Sequence, residues 1–185
     1  YVSKKANTFS DTQALSAMKL IAPNLRKAYK NINDREAREK IMIGATLAGM
    51  AFSNASVALV HGMSRPIGAF YHVPHGLSNA MLLPTVTKFS LEAASKKYSE
   101  CSKAMGLANH NDTEQLANKK LLSELYQLNI DLEVPSPEKY GIEKTNFFKK
   151  LNVMAEQALA SGSPNNNPRV PSHSQIVKLY EELWT

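Results

Sequence analysis

The sequence predicts an all-α protein, a bundle of helices packed around one helix rich in small residues. Three observations carry this. Apolar residues recur at helical spacing along almost the whole chain. No stretch alternates long enough for a sheet, and no hairpin signal is present. The most apolar region, Ile41 to Leu59, is interrupted by Gly44, Gly49, Ser53, Asn54 and Ser56, and such small residues let helix backbones approach closely. With 185 residues the chain is long enough for one domain with its own core, so residues 1–185 are expected to form a single helical domain.

The elements follow in order. Ser10 or Asp11 caps a first helix that carries Leu15, Met18, Ile21 and Leu25 on one face, and Pro23 inside that pattern kinks it. Asn33 or Asp34 starts the next helix, whose opening "DREAREK" is a charged outer face; from Ile41 it becomes small and apolar, the central buried helix of the bundle. Further helices are predicted at about 56–67, 75–89, 90–105, 113–129, 144–160 and 173–183. Pro135, Pro137, Gly162, Pro164, Pro168 and Pro171 mark the loops between the later ones. The polar stretch "SGSPNNNPRVPS", residues 161–172, reads as a surface loop or as the wall of a polar pocket.

Composition excludes several classes. The 43% apolar content fits a folded globular chain, and no run reaches the roughly 20 apolar residues of a membrane span. The net charge of +6 is spread along the chain without a dense basic tract, which argues against a nucleic acid partner. There is no Gly-rich phosphate loop and no GxGxxG, so no nucleotide-binding domain is expected within these residues. The single cysteine, Cys101, forbids an intrachain disulfide, reads as a small apolar residue of a helix, and is compatible with a cytoplasmic setting. The chain opens "YVSKKANTFSD", without Met or a signal-like apolar core, as expected of a processed or excised piece.

One stretch stands apart. "VHGMSRPIGAFYHVPHG", Val60 to Gly76, holds three of the five histidines and no acidic residue. On one straight helix His61 and His75 would lie about 21 Å apart, too far to share an ion. Gly68 permits a break, and Pro74 suits the first turn of a new helix. His61 then lies on one helix and His75 opens the next, where the two converge on a metal or serve as core histidines bonded to backbone. His72 falls in the connection, as a ligand, a pocket wall or an exposed ring. His110 and His173 are expected to be exposed. A zinc site needs at least three protein ligands and iron sites add carboxylates. No Asp or Glu stands between Glu39 and Glu92, so further ligands must come from far along the chain or from outside it.

The longer stretch "GMAFSNASVALVHGMSRPIGAFYHVPHGLSNAMLLP", residues 49–84, resembles the signature of the iron-containing (group III) alcohol dehydrogenases. The matching positions are Gly49 to Phe52, His61 to Met63, Pro66 with Gly68, Pro74 to Gly76, Asn79, Ala80 and Leu82 to Pro84. The flanks agree, in "ANTFSDTQALSAMKLI" and in Asn167 to Arg169. The resemblance covers essentially the whole chain but only the C-terminal half of the family's fold. It implies the helical C-terminal domain of the dehydroquinate synthase-like, iron-type alcohol dehydrogenase architecture, partnered by an N-terminal nucleotide-binding domain.

That resemblance implies a metal at His61 and His75, Fe²⁺ or Zn²⁺. The other two ligands, an Asp and a His four residues after it, would lie on a helix just upstream of "YVSKKAN". It implies that the metal acts as a Lewis acid on a small alcohol, aldehyde or ketone while hydride passes to or from NAD(P). Phe52 matches an aromatic near the nicotinamide, against the plainer reading of a core Phe, and loop 161–169 would border the same pocket. Arg65 stands where many members carry a histidine with a proton-transfer role; arginine cannot shuttle protons near neutral pH. It is left to bind a substrate carboxylate, a cofactor phosphate or an acid of the nucleotide-binding domain. The chain alone is expected to be inactive and to hold metal weakly. An apolar patch around Phe52 and the motif would favour homo-oligomers. A zinc-dependent glycerol dehydrogenase-like or dehydroquinate synthase-like relative, or a non-catalytic helical module, are the alternatives; the HGM…PHG spacing with Asn79-Ala80 and Leu82 to Pro84 argues for the iron-type branch.

Overall fold

The computed structural model describes residues 1–184, which hold no strand. Its α-helices are α1 (Thr8–Ile21), α2 (Leu25–Lys30), α3 (Arg35–Ala55), α4 (Leu59–Tyr71), α5 (His75–Ser90), α6 (Ser95–Ala104), α7 (Glu114–Asp131), α8 (Lys144–Ala160) and α9 (His173–Glu181). The all-α class expected from the periodicity is what folds. Two compact units share these helices: Tyr1–Ser56 with Leu91–Leu132, and Val57–Ser90 with Glu133–Thr185.

In the first unit, α1 begins one turn earlier than its sequence suggests. Asn7 is the cap: its side chain accepts from the Ser10 amide at 3.1 Å, and the Ser10 hydroxyl accepts from the Asn7 amide at 2.9 Å. Ser10 is thus the reciprocal partner of the cap. Pro23 ends the helix instead of kinking it. A proline there has no N–H for the ladder and its ring crowds the preceding turn, so α1 stops at Ile21 and α2 restarts at Leu25.

Asp34 caps α3 by accepting from the Ala37 amide at 3.0 Å. The expectation of one central buried helix from Ile41 to Leu59 is corrected in two ways. Ser56, with a positive φ of 60°, ends α3 at Ala55, and α4 is a separate helix. The small residues also serve a single seam. A Cβ on Gly44 would lie 2.6 Å from Ile21 Cγ1 and 3.3 Å from the Ala17 carbonyl, so glycine is what lets α1 and α3 close together. Away from that contact the helix is bare, with Met42 70% exposed and Phe52 54% exposed. Small residues shorten one interface; they do not bury a helix all round.

α6 and α7 pack around Tyr98, Cys101, Leu121 and Leu125, and Arg26 bridges to Asp131 at 2.7 Å and to Glu124 at 2.5 Å. Cys101 is buried, as its small apolar character suggested, and burial pushes its thiol up to about 12. The thiolate is the reactive form. At pH 8 the native thiol is therefore expected to resist iodoacetamide until the chain unfolds. Alkylation of folded protein as fast as of free cysteine would contradict that burial.

In the second unit, α4, α8 and α9 enclose the larger core: Leu59, Met63, Ile67, Phe147, Met154, Ile176 and Tyr180 are all fully buried. Gly62 lets α4 approach the 3₁₀ turn Ser163–Asn166, since a Cβ there would meet Pro164 at 3.0 Å. Pro66 sits inside α4 and removes one ladder bond a turn upstream. Next to that gap, the Met63 carbonyl accepts from the buried Tyr180 hydroxyl at 2.7 Å.

The polar segment 161–172 is not simply a surface loop. Ser163, Pro164, Asn166 and Asn167 are buried. Asn167 Nδ2 donates to Ser90 Oγ at 2.8 Å and to the Arg169 carbonyl at 2.7 Å, and Asn166 Nδ2 donates to the Val57 carbonyl at 2.9 Å. The asparagines tie the strap to the ends of α5 and the segment before α4. Asn167→Ala removes two bonds at a site only 2% exposed and is expected to cost about 1–3 kcal/mol in urea unfolding.

Candidate functional site

The turn between α4 and α5 brings the histidines together. α4 runs through Gly68 and ends at His72, which adopts the left-handed conformation (φ 55°, ψ 27°). Its amide donates to the Gly68 carbonyl at 3.0 Å, and its own carbonyl accepts from the Tyr140 hydroxyl at 3.2 Å. The break therefore falls at His72, not at Gly68. A Cβ at position 68 would meet the returning Val73 carbonyl at 3.4 Å, an ordinary contact, so the local space does not demand glycine there. Val73 is buried, Pro74 leads into α5, and His75 is its first residue.

The outcome is a histidine pair. The His61 and His75 rings lie 5.1 Å apart between centroids, tilted by 55°. His61 is half-buried. Burial first, then His75, then the Arg65 charge hold its pKa below the ordinary value of 6.5. At neutral pH His61 is accordingly neutral, with a lone pair to offer. His75 is exposed, and its Nε2 lies 3.1 Å from Asn79 Nδ2, one turn further along α5. Among the described residues Asn79 Oδ1 is buried without a hydrogen-bond partner. Asn79 was missed as a site residue by sequence reasoning; its i+4 spacing from His75 on one helix was the available signal.

Arg65 follows His61 by one turn on α4 and is exposed. His72 is exposed as well, and its distinct contribution is the left-handed backbone that turns the chain. His110, in the first unit, is exposed as expected. His173 is not: it is half-buried, with Nε2 3.2 Å from the Asn152 carbonyl. Among the described residues no group of three or more His, Cys, Asp or Glu side chains is placed to hold a metal ion.

Phe52 belongs to the first unit, on α3. The reading of an ordinary core phenylalanine does not hold, because the side chain is 54% exposed. It borders an apolar cavity of about 280 Å³ lined also by Ala14, Ala17, Met18, Ile21 and Ala48.

Residues 1–184 match the C-terminal model of the Fe-containing alcohol dehydrogenase family, and the chain belongs to that family. It is 35% identical over its whole length to an NADPH-dependent butanol dehydrogenase of Clostridium saccharobutylicum and 34% identical to a 1,3-propanediol dehydrogenase of Klebsiella pneumoniae, covering 47% of each. An alcohol dehydrogenase structure from Oenococcus oeni superposes with a TM-score of 0.91 at 34% identity, over 99% of this chain and 47% of that one. The chain thus spans about half the length of the relatives it matches, and corresponds to the C-terminal part of these oxidoreductases. No single helix among the described residues is long and apolar enough to cross a membrane.

Proposed function

We propose that this chain is the metal-binding half of an NAD(P)-dependent alcohol dehydrogenase that interconverts a small alcohol with its aldehyde or ketone. The observation that supports it most is the His61–His75 pair at 5.1 Å in a chain of this family. The donor set fits a divalent transition metal as far as it goes: two imidazoles, one desolvated and neutral, suit Fe²⁺ or Zn²⁺. His61 and His75 hold the ion, and an N-terminal nucleotide-binding half supplies the remaining ligands and the NAD(P) site. When bound, the metal supplies Lewis-acid polarisation of the substrate oxygen.

The chain's own residues do the rest. Burial keeps His61 unprotonated. Asn79 holds the His75 imidazole in place through its amide, as partners of ligating histidines generally do. Phe52, half-exposed on α3, offers an apolar ring for the nicotinamide of the intact enzyme. Residues 1–185 work as a single metal-binding domain in the assembled, cytoplasmic enzyme. The relatives' names, butanol and 1,3-propanediol dehydrogenases, support short alcohols as substrates.

The test is to join the chain to a nucleotide-binding half of this family and supply Fe²⁺. The joined protein is expected to reduce NAD(P)⁺ with short alcohols and the chain alone to do nothing. His75→Ala in the joined protein is expected to cost about 100-fold or more in turnover. Unchanged turnover in that variant ends this reading.

A further inference from the structure

We propose that Asn79 competes with the metal for His75: its amide donates to the one lone pair that an ion can take, and releases it when the ion binds. The proposal rests on the metal reading above and adds to it what sets the tautomer and the affinity of the histidine pair.

The backbone under both rings is fixed by the same device. On α4, Ser64 Oγ donates to the His61 carbonyl at 3.2 Å; on α5, Ser78 Oγ donates to the His75 carbonyl at 3.0 Å. Both serines are fully buried, so each histidine is anchored from three residues further along its own helix. The Ser78 amide also donates to the Pro74 carbonyl at 3.0 Å, which closes the chain beneath His75. The contact at the outer end of the His75 ring is of another kind, a single side-chain bond. Asn79, four residues on and on the same face of α5, is the only side chain hydrogen-bonded to either ring among the described residues.

The chemistry of that bond sets the tautomer. An amide nitrogen carries two N–H donors and no acceptor, so across 3.1 Å Asn79 Nδ2 donates and His75 Nε2 accepts. Nε2 therefore holds the lone pair of the neutral ring, and the proton sits on Nδ1. A divalent ion binds the unprotonated nitrogen of a neutral imidazole. The lone pair that His75 can offer is thus the one Asn79 already uses. The other end of the amide is not secured: among the described residues Asn79 Oδ1 is buried without a partner. The amide can turn away by giving up one hydrogen bond, while the ring stays where Ser78 and Pro74 hold its backbone. A bond present before the ion binds and lost afterwards lowers the affinity by what that bond contributes.

The experiment uses the 185-residue chain, ¹⁵N-labelled and stripped of metal with a chelator, at pH 8, above the ordinary imidazole range, with Zn²⁺ as the probe. Long-range ¹H–¹⁵N spectra read the tautomer of His75. Wild type is expected to carry the proton on Nδ1, and Asn79→Asp, which offers only acceptors, to draw it to Nε2. Calorimetry then reads the affinity. Asn79→Ala is expected to bind Zn²⁺ about threefold to tenfold more tightly than wild type, the net worth of one hydrogen bond. Asn79→Ser, too short to reach the ring yet still polar, is held to the same result. A proton on Nε2 in wild type overturns the proposal. So does weaker binding in both Asn79→Ala and Asn79→Ser, which would make Asn79 a lasting support of the ligand. If none of these proteins binds Zn²⁺, the metal reading falls and this proposal with it. If all bind equally, the metal reading stands and this proposal alone falls.

Discussion

Phe147→Ala is expected to destabilise the second unit by about 3–5 kcal/mol. Phe147 is fully buried on α8 and is the hub of an aromatic cluster. Its ring stacks on Tyr71 at 5.6 Å, meets Tyr180 edge-on at 6.1 Å, and lies 5.4 Å from Trp184. Truncation removes the transfer free energy of the ring and leaves a cavity bounded by three helices. The surrounding rings are too stiff to collapse into it, which places the cost at the upper end of the range for such substitutions. Tyr71 belongs to the last turn of α4, and Tyr180 holds the Met63 carbonyl in its middle. Loosening this cluster therefore reaches the helix that carries His61. Urea unfolding followed by tryptophan fluorescence checks the figure through Trp184. A loss under 1 kcal/mol would mean that the cluster is not a packed core.

The class and much of the element order were legible because they depend on local signals. Asp34 caps α3 and Pro74 leads into α5 through signals a few residues long, and the break between His61 and His75 follows from them. What sequence reasoning misplaced depends on tertiary context. Gly68 was the obvious breaker, yet α4 runs through it. The chain turns at His72, a residue with a side chain, because its carbonyl is held by Tyr140 from a distant segment. The small residues of α3 signalled close approach correctly but said nothing of how many neighbours approach. Gly44 meets Ile21 and Ala17, while Met42 and Phe52 are left bare. The asparagines of residues 165–167 looked like solvated loop chemistry, and only the fold reveals the carbonyl and hydroxyl that Asn166 and Asn167 answer. The site was more legible than the packing, since a histidine pair across a proline is a local pattern. Asn79 escaped because an asparagine four residues after a histidine is common and acquires meaning only once the ring is seen to face it.

His61→Ala and His75→Ala are each expected to abolish Zn²⁺ binding by this chain while changing its melting temperature by only a few degrees. Two imidazoles leave half of a tetrahedral ion's coordination to water, so the wild-type chain is expected to bind with a dissociation constant weaker than about 1 μM, against the far tighter closed sites of structural zinc. The pair is nonetheless pre-assembled: the rings are already 5.1 Å apart, and burial keeps His61 neutral. Losing either ring should therefore eliminate measurable binding instead of halving it. Calorimetry with Zn²⁺ and a thermal melt on the same samples separate the two roles a histidine can have here. A structural pair would lower the melting temperature strongly and leave the weak metal affinity untouched, and that pattern would end the metal reading. If a family nucleotide-binding half supplies the Asp and His that the resemblance implies, joining it to this chain is expected to convert weak binding into tight one-to-one binding, because the ion gains donors without reordering the pair already formed. If joining that half adds nothing, the ligand set implied by the resemblance is wrong even though His61 and His75 stand together.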